Sequence, residues 1–273
     1  MRLVHNESSQ FALRQVDLAS RSDPETLEKL TTGRRINHAS DDAAGLSVAS
    51  RFASRYRGLV QANRNLQDAS SLVQVAESAY ATTTDMLHKI RQMSVQSSND
   101  TLTDSDRGLL QKEVDQLLDE IDRQGETVQF NGKKFLQGGA TSSVTFHFHA
   151  GADENEEIAV EFSAVNASAF GLTGLQIGTR DTAENAIATV DSALAEINGR
   201  RAELGAIMNR IDRAIDFTSV AGENAAAAES NLADSNMGEE VVSLSKSQLL
   251  SQTRLSALAQ ANIVPQSVLT LLG

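Results

Sequence analysis

The feature that most restricts how this chain can fold is a heptad repeat running from Leu59 to Ile90. Steps of three and four land on Leu59, Ala62, Leu66, Ala69, Val73, Ala76, Tyr80, Thr83, Leu87 and Ile90, and nine of these ten are apolar. A sustained 3.5-residue period is the mark of a helix that buries one seam against other helices. The large side chains share one heptad position and the alanines mostly the other, so neighbouring helices can approach closely. A capping side chain at Ser40 or Asp41, followed by Asp42 in the first turn, predicts the start of this helix. The pattern carries to about Ser98, a rod of roughly 80–90 Å at 1.5 Å per residue.

The same period recurs on both sides. Leu110, Val114, Leu117 and Ile121 form the stripe of a helix predicted over Asp104–Gly125. A third long helix is predicted over Ala183–Leu232, with a seam that is greasy from Ile187 to Ile215 apart from Arg201. Beyond Ile215 the seam turns small or polar. Near the N-terminus Leu13, Val16, Ser20, Asp23, Leu27 and Leu30 keep one register, and Thr32-Gly33 reads as a helix stop. Asp23-Pro24-Glu25 interrupts that register with a residue costing about 3 kcal/mol in a helix interior, so a kink or short break is expected near Ser22. At the C-terminal end Val241, Val242, Leu244, Leu249, Leu255, Leu258 and Ile263 recur among Ser, Gln and Ala.

Between the second and third long helical patterns the period falls to two. Val144, Phe146 and Phe148 alternate with Thr145, His147 and His149. Ile158, Val160 and Phe162 follow an Asp/Glu/Asn-rich turn, the signature of a β-hairpin with one apolar face. Asn131-Gly132 between short apolar flanks marks a second, smaller hairpin. Residues 163–182 read as a Gly-, Ser- and Thr-containing connector. The fold class that follows is mainly α: long antiparallel coiled-coil-like helices with a small β-hairpin region, drawn out as an elongated rod.

Charge and composition narrow the function. The formal net charge is −12, with 24 basic and 36 acidic residues. A nucleic-acid binder would present a basic face instead. The acidity belongs to the centre: residues 1–40 carry +1, residues 236–273 carry 0, and the stretch between carries −13. Near-neutral ends with apolar periodicity predict surfaces meant to be covered. There is no Cys, hence no disulfide, thiol nucleophile or Cys-ligated metal. No apolar run is long enough to span a membrane, and no signal-peptide stretch opens the chain.

No residue pattern points to catalysis, and no cofactor or metal is expected. His147 and His149 share one strand face at i, i+2 but read as solvent-facing. H-E-x-x-H is absent. Asp41-Asp42 reads as a helix N-terminus rather than an acid–base pair. Gly138-Gly139 lacks phosphate-loop spacing, and the Asn-x-Ser/Thr tripeptides at Asn6, Asn99 and Asn166 carry little weight alone.

Four stretches, in order and spanning nearly the whole chain, resemble bacterial flagellins: Thr31-Thr-Gly33-Arg-Arg-Ile36-Asn37-His-Ala39-Ser-Asp41-Asp42-Ala-Ala-Gly45; Ile90-Arg91-Gln-Met-Ser-Val95-Gln96-Ser97; Gln129-Phe130-Asn131-Gly132; and Leu258-Ala-Gln-Ala-Asn262-Ile-Val-Pro265-Gln-Ser-Val268-Leu-Thr-Leu271-Leu272. The resemblance implies a structural subunit that self-assembles into a flagellar filament for motility. It implies an inner-tube domain of residues 1–44 with 236–273. Residues 45–182 with 183–235 would form a helical rod domain bearing hairpins near 127–136 and 143–163, with no outer variable domain. Leu13, Val16, Leu27, Leu30, Leu249, Leu255, Leu258 and Ile263 are the expected polymer contacts, with Arg35, Asn37 and Leu269. The implied partners are further copies of the chain, hook–filament junction and cap proteins, and an export chaperone, with no nucleic acid and no membrane. The implied location is a secreted, extracellular filament, or one held in a periplasm. Many flagellins engage Toll-like receptor 5, and the matching positions here are Lys89, Arg91, Met93, Gln96 and Glu113. Lys89 and Met93 stand where receptor-active members carry Arg and Leu, so weakened activation is expected. A hook–filament junction protein has similar ends, but Asp41-Asp42-Ala-Ala-Gly45 and the intact C-terminal signature favour a flagellin. A secreted binding module or adhesin is the reading from a different class.

Overall fold

The computed structural model describes residues 7–138 and 143–272, the side chains of residues 8, 19–23 and 264–272 excepted. In chain order it runs α1 (Glu7–Thr32), α2 (Ala43–Ser97), α3 (Asp104–Thr127), β1 (Gln129–Phe130), β2 (Lys133–Lys134), β3 (Ser143–His149), β4 (Glu157–Ser163), α4 (Arg180–Ala233) and α5 (Met237–Leu272). Two compact units result. One is built from the chain ends, up to Arg55 and from Glu223 onward; the other is Tyr56–Gly222. The long helices α2 and α4 each supply residues to both.

In the Tyr56–Gly222 unit, α2 and α4 run antiparallel along the predicted heptad seam. Asn63 bonds Ser219 at 2.9 Å, Ser70 meets Met208, Glu77 accepts from Arg201 at 2.7 Å, and Arg91 forks onto Asp191 at 2.6 and 3.3 Å. Each step forward on α2 is thus a step back on α4. Of the ten α2 seam residues every one is buried, as are Val190, Leu194, Ile197, Leu204 and Ile211 of α4. Arg201, partly exposed on that seam, sets its guanidinium on Glu77.

α3 folds back on α2 through the turn 98–103. Thr103 and Asp106 form a reciprocal capping box that starts α3. Buried Arg107 donates to the carbonyl of Ser97, the last residue of α2, and to that of Asn99 in the turn. Gln124 bonds both the Thr83 hydroxyl and the Ala79 carbonyl, closing the other end of the pair.

Both hairpins form as the alternation predicts. Asn131 and Gly132 take φ of 48° and 76°, the left-handed pair of a type I′ turn. β3 and β4 pair Val144 with Phe162, Phe146 with Val160 and Phe148 with Ile158. This apolar face packs inward around Phe135, whose ring lies 5.1 Å from Phe162 and 6.3 Å from Phe146.

Three sequence expectations change. Residues 164–179 form no helix or strand, yet they are a packed part of the core rather than a loose connector: Val165, Phe170, Leu172 and Ile177 are buried. Their backbone is satisfied by side chains reaching in from elsewhere. Asp122 accepts from Ala167 N–H, Gln111 bonds Leu175 and Ile177, Arg200 donates to Ala164, and the Leu136 carbonyl accepts from Val165. Second, α2 begins at Ala43, not Ser40 or Asp41. Asp42 is the cap, accepting from Gly45 N–H at 2.8 Å, while Asp41 turns back to accept from Asn37 and His38 N–H. Third, of the kink or short break expected near Ser22 the break does not occur: α1 carries Pro24 inside one continuous helix.

Candidate assembly surfaces

The unit made by the chain ends is an antiparallel pair, α1 against α5. Gly33, with φ of +70°, ends α1 in the left-handed conformation that favours glycine. The next residues then pair with the end of α4. Arg35 N–H donates to the Ala233 carbonyl, Ser235 N–H to the Gly33 carbonyl, and Arg34 bridges Asp234. Side chains tighten this clasp: Arg34 meets Glu229 at 3.0 Å and Arg35 donates to the Leu232 carbonyl at 2.7 Å. At the opposite end of the pair Ser9 donates to Asn262 at 2.8 Å, across 253 positions of sequence.

The surface between α1 and α5 mixes small side chains with a few aliphatic ones. Ser9 is buried, and Ala12, Val16, Leu30, Leu244, Ser251, Leu258 and Ala261 are half-buried. Most of the large apolar side chains stay in solvent. Phe11, Leu13, Leu18 and Leu27 of α1 are exposed, as are Val241, Val242, Leu249, Leu255 and Ile263 of α5. Leu249 keeps 66% of its surface in contact with solvent. On α5, Val241, Val242, Leu249 and Leu250 line a shallow apolar groove of about 480 Å³. This is far more apolar surface than scattered single residues would supply, and such continuous exposure marks an interaction face. Covering the exposed part of each side chain contributes on the order of 1 kcal/mol.

The expected polymer contacts therefore fall into distinct groups. Leu13, Leu27, Leu249, Leu255 and Ile263 are exposed, whereas Val16, Leu30 and Leu258 lie at the α1–α5 contact. Arg35 and Asn37 belong to the clasp: Asn37 donates to the Arg34 carbonyl, and its own N–H is held by Asp41. Those N–H donors hold the Asp41 carboxyl below the usual carboxylate range. The side chain of Leu269 lies outside the described residues.

The receptor-motif positions lie on α2 and α3 in the other unit. Gln96 is exposed, and Lys89 and Glu113 stand 4.0 Å apart, each about half exposed. Arg91 is held by Asp191, which keeps the Asp191 carboxyl low and the guanidinium pKa high. Met93 is only 2% exposed and belongs to the core. Burial cannot be read from a motif match alone, nor from the strict register: the heptad steps continue from Ile90 to Ser94 and Ser97, both buried, and Met93 packs in beside that seam.

No constellation of catalytic type accompanies these surfaces. His147 stands on the outer hairpin face, 3.1 Å from Glu157. Among the described residues no group of three or more His, Cys, Asp or Glu could hold a metal, and no described helix is long and apolar enough to cross a membrane.

The fold and its surfaces define a structural protein, with one unit of paired terminal helices that leave a row of large apolar side chains in solvent and another that is a packed helical body. Residues 4–141 match the bacterial flagellin N-terminal helical region and residues 187–272 the bacterial flagellin C-terminal helical region. The flagellar filament 30.7 kDa core protein of Treponema maltophilum is 41% identical over the full length of both chains. The flagellin of Halalkalibacterium halodurans is 37% identical, again covering all of both. Among solved structures, a putative flagellar hook-associated protein from Vibrio parahaemolyticus shares the fold, with a TM-score of 0.58 and 14% identity, covering 71% of this chain and 100% of that one. The chain belongs to the bacterial flagellin family and is a structural subunit of the flagellar filament.

Proposed function

We propose that the chain polymerises by burying the outward apolar faces of α1 and α5 against neighbouring copies, forming the inner part of the filament. The observation that carries this is the row of large side chains, Phe11, Leu13, Leu18 and Leu27 with Val241, Val242, Leu249, Leu255 and Ile263, that the helix pair leaves in solvent. Residues 241–273 hold only Lys246 and Arg254 as charged groups, so the free segment would aggregate unless guarded; this supports an export chaperone that binds it in the cytoplasm. Export then follows the flagellar type III route, and the filament lies outside the cytoplasm, between a junction protein at its base and a cap at its tip. The test is seeded growth of the full-length chain followed by electron microscopy. Wild type adds to filament seeds, and Leu249→Ser with Leu255→Ser, both at exposed positions, stops growth while the monomer keeps its helical circular dichroism. Unchanged growth of that variant overturns the assignment of these faces.

Receptor recognition, in this reading, uses Lys89, Gln96 and Glu113. Met93 acts only by packing, so the gain in Toll-like receptor 5 reporter signal from the Lys89→Arg, Met93→Leu pair comes from Lys89→Arg. A gain that needs Met93→Leu contradicts this.

A further inference from the structure

A second pair of surfaces lies within the Tyr56–Gly222 unit. Arg210, Arg213, Phe217 and Val220 follow one another at steps of three and four, so they form a single stripe on α4. All four are exposed; Phe217 keeps 71% of its surface in solvent. Among the described residues neither arginine has an ion-pair partner. Asp212 and Asp216 lie off to one side of the stripe.

The complementary feature is a groove of about 710 Å³ between α3 and residues 165–174. Its floor is apolar, with Leu118, Leu136, Val165 and Leu172. Its α3 wall carries Asp115, Asp119, Asp122 and Glu126. These four also share one stripe, and like charges at i, i+4 repel. Among the described residues no cation is paired with any of them. Asp122 accepts from Ala167 N–H and Asp115 from Gln111; neither bond neutralises the charge.

We propose that this groove receives the α4 stripe of a second copy of the chain, with Phe217 over the apolar floor and Arg210 and Arg213 against the carboxylate wall. The proposal rests on the filament reading and adds to it a second contact, electrostatic and independent of the terminal helices. The two surfaces differ, so the contact is head-to-tail, and contacts of that kind that do not close into a ring propagate as an open helical polymer. They also lie at different levels. The stripe is beside Asn63 of α2, which bonds Ser219, and the groove is beside Ala79 and Thr83, which bond Gln124. The intervening stretch of α2 spans ~24–30 Å, which sets the axial offset between contacting copies.

Charge exchange tests it in the full-length chain. Arg210→Glu with Arg213→Glu, and separately Asp119→Arg with Glu126→Arg, should each raise the critical concentration for seeded growth about tenfold, through loss of attraction and gain of repulsion. The quadruple variant restores complementarity and should assemble near the wild-type concentration. An equal mixture of the two double variants should co-assemble, because each supplies the surface the other lacks. Either double variant assembling like wild type overturns the proposal, as does a folded quadruple variant no better than the doubles. The chain has no native Cys, so Val220→Cys with Thr173→Cys gives a second readout that does not depend on charge reversal. Oxidised filaments should yield a ladder of disulfide-linked multimers, and filaments that give none overturn it. A wild-type chain that never adds to seeds brings down the filament reading and this one with it; wild-type growth with unaffected variants brings down this one alone.

Discussion

Two adjacent aspartates with opposite tasks show how much a single carboxylate can decide. Asp42 starts a 55-residue helix by accepting from Gly45 N–H, and Asp41 closes the preceding turn on Asn37 and His38. Asp42→Ala removes the cap and should cost about 0.5–2 kcal/mol, read from the urea midpoint of the monomer. Asp41 makes a pH prediction. Its folded pKa is depressed by the two N–H donors, so its stabilisation is complete above the unfolded value near 4 and is lost as pH falls through the folded value. The midpoint gap between wild type and Asp41→Asn should therefore be open at neutral pH and close in acid. A gap that widens as pH falls refutes this account. The Tyr80 phenol behaves in the opposite sense. Burial pushes its pKa up, and its hydroxyl donates to the Ser163 carbonyl, so a residue on the heptad seam also fixes where β4 ends.

Among the elements, α3 depends on a close approach that only glycine permits. A Cβ on Gly125 would lie 1.8 Å from the Val165 carbonyl oxygen, a backbone atom that cannot swing aside. Gly125→Ala should therefore destabilise the Tyr56–Gly222 unit by about 1–3 kcal/mol, although alanine is the better helix former. Denaturant unfolding of the monomer checks this; a neutral or stabilising result would show that the 164–179 segment can retreat from α3. In α1 the proline acts the other way. Pro24→Ala restores an N–H and removes a steric conflict, so α1 should gain up to about 3 kcal/mol, seen as slower amide exchange around residues 24–32.

For the whole molecule, the contrast is between a unit whose large apolar side chains are mostly inside and a unit that leaves most of its own in solvent. Local opening should follow that contrast. Limited proteolysis of the free monomer should cut α1 and α5 first and leave a resistant fragment within about residues 45–235, while the same enzyme acting on filaments leaves the chain whole. Early cuts inside 56–222, with the ends intact, would reverse this picture. Salt separates the two kinds of assembly contact. Raising ionic strength from about 0.05 to about 0.5 M shortens the Debye length severalfold and should weaken the α4–α3 contact, whereas burial of the α1 and α5 faces persists.

What the amino-acid sequence determined by itself is whatever depends on local period and turn chemistry. The α2 seam from Leu59 to Ile90, the type I′ turn at Asn131-Gly132 and the inward face of β3 and β4 all follow from spacing, because helix and strand geometry convert spacing directly into a face. The outward row on α1 and α5 was legible only in part. The same heptads contain Leu13 and Val16, and period alone does not say which of two adjacent positions meets the intramolecular partner. That was decided by pairing across the full length of the chain, where Ser9 meets Asn262 and Arg35 meets Ala233. Residues 164–179 were legible least of all. They have no period, and their order comes from side chains of α3 and α4 and from the backbone before β3, each far away in sequence. Only tertiary structure could bring Asp122, Gln111 and Arg200 to one irregular strand of backbone and satisfy it there.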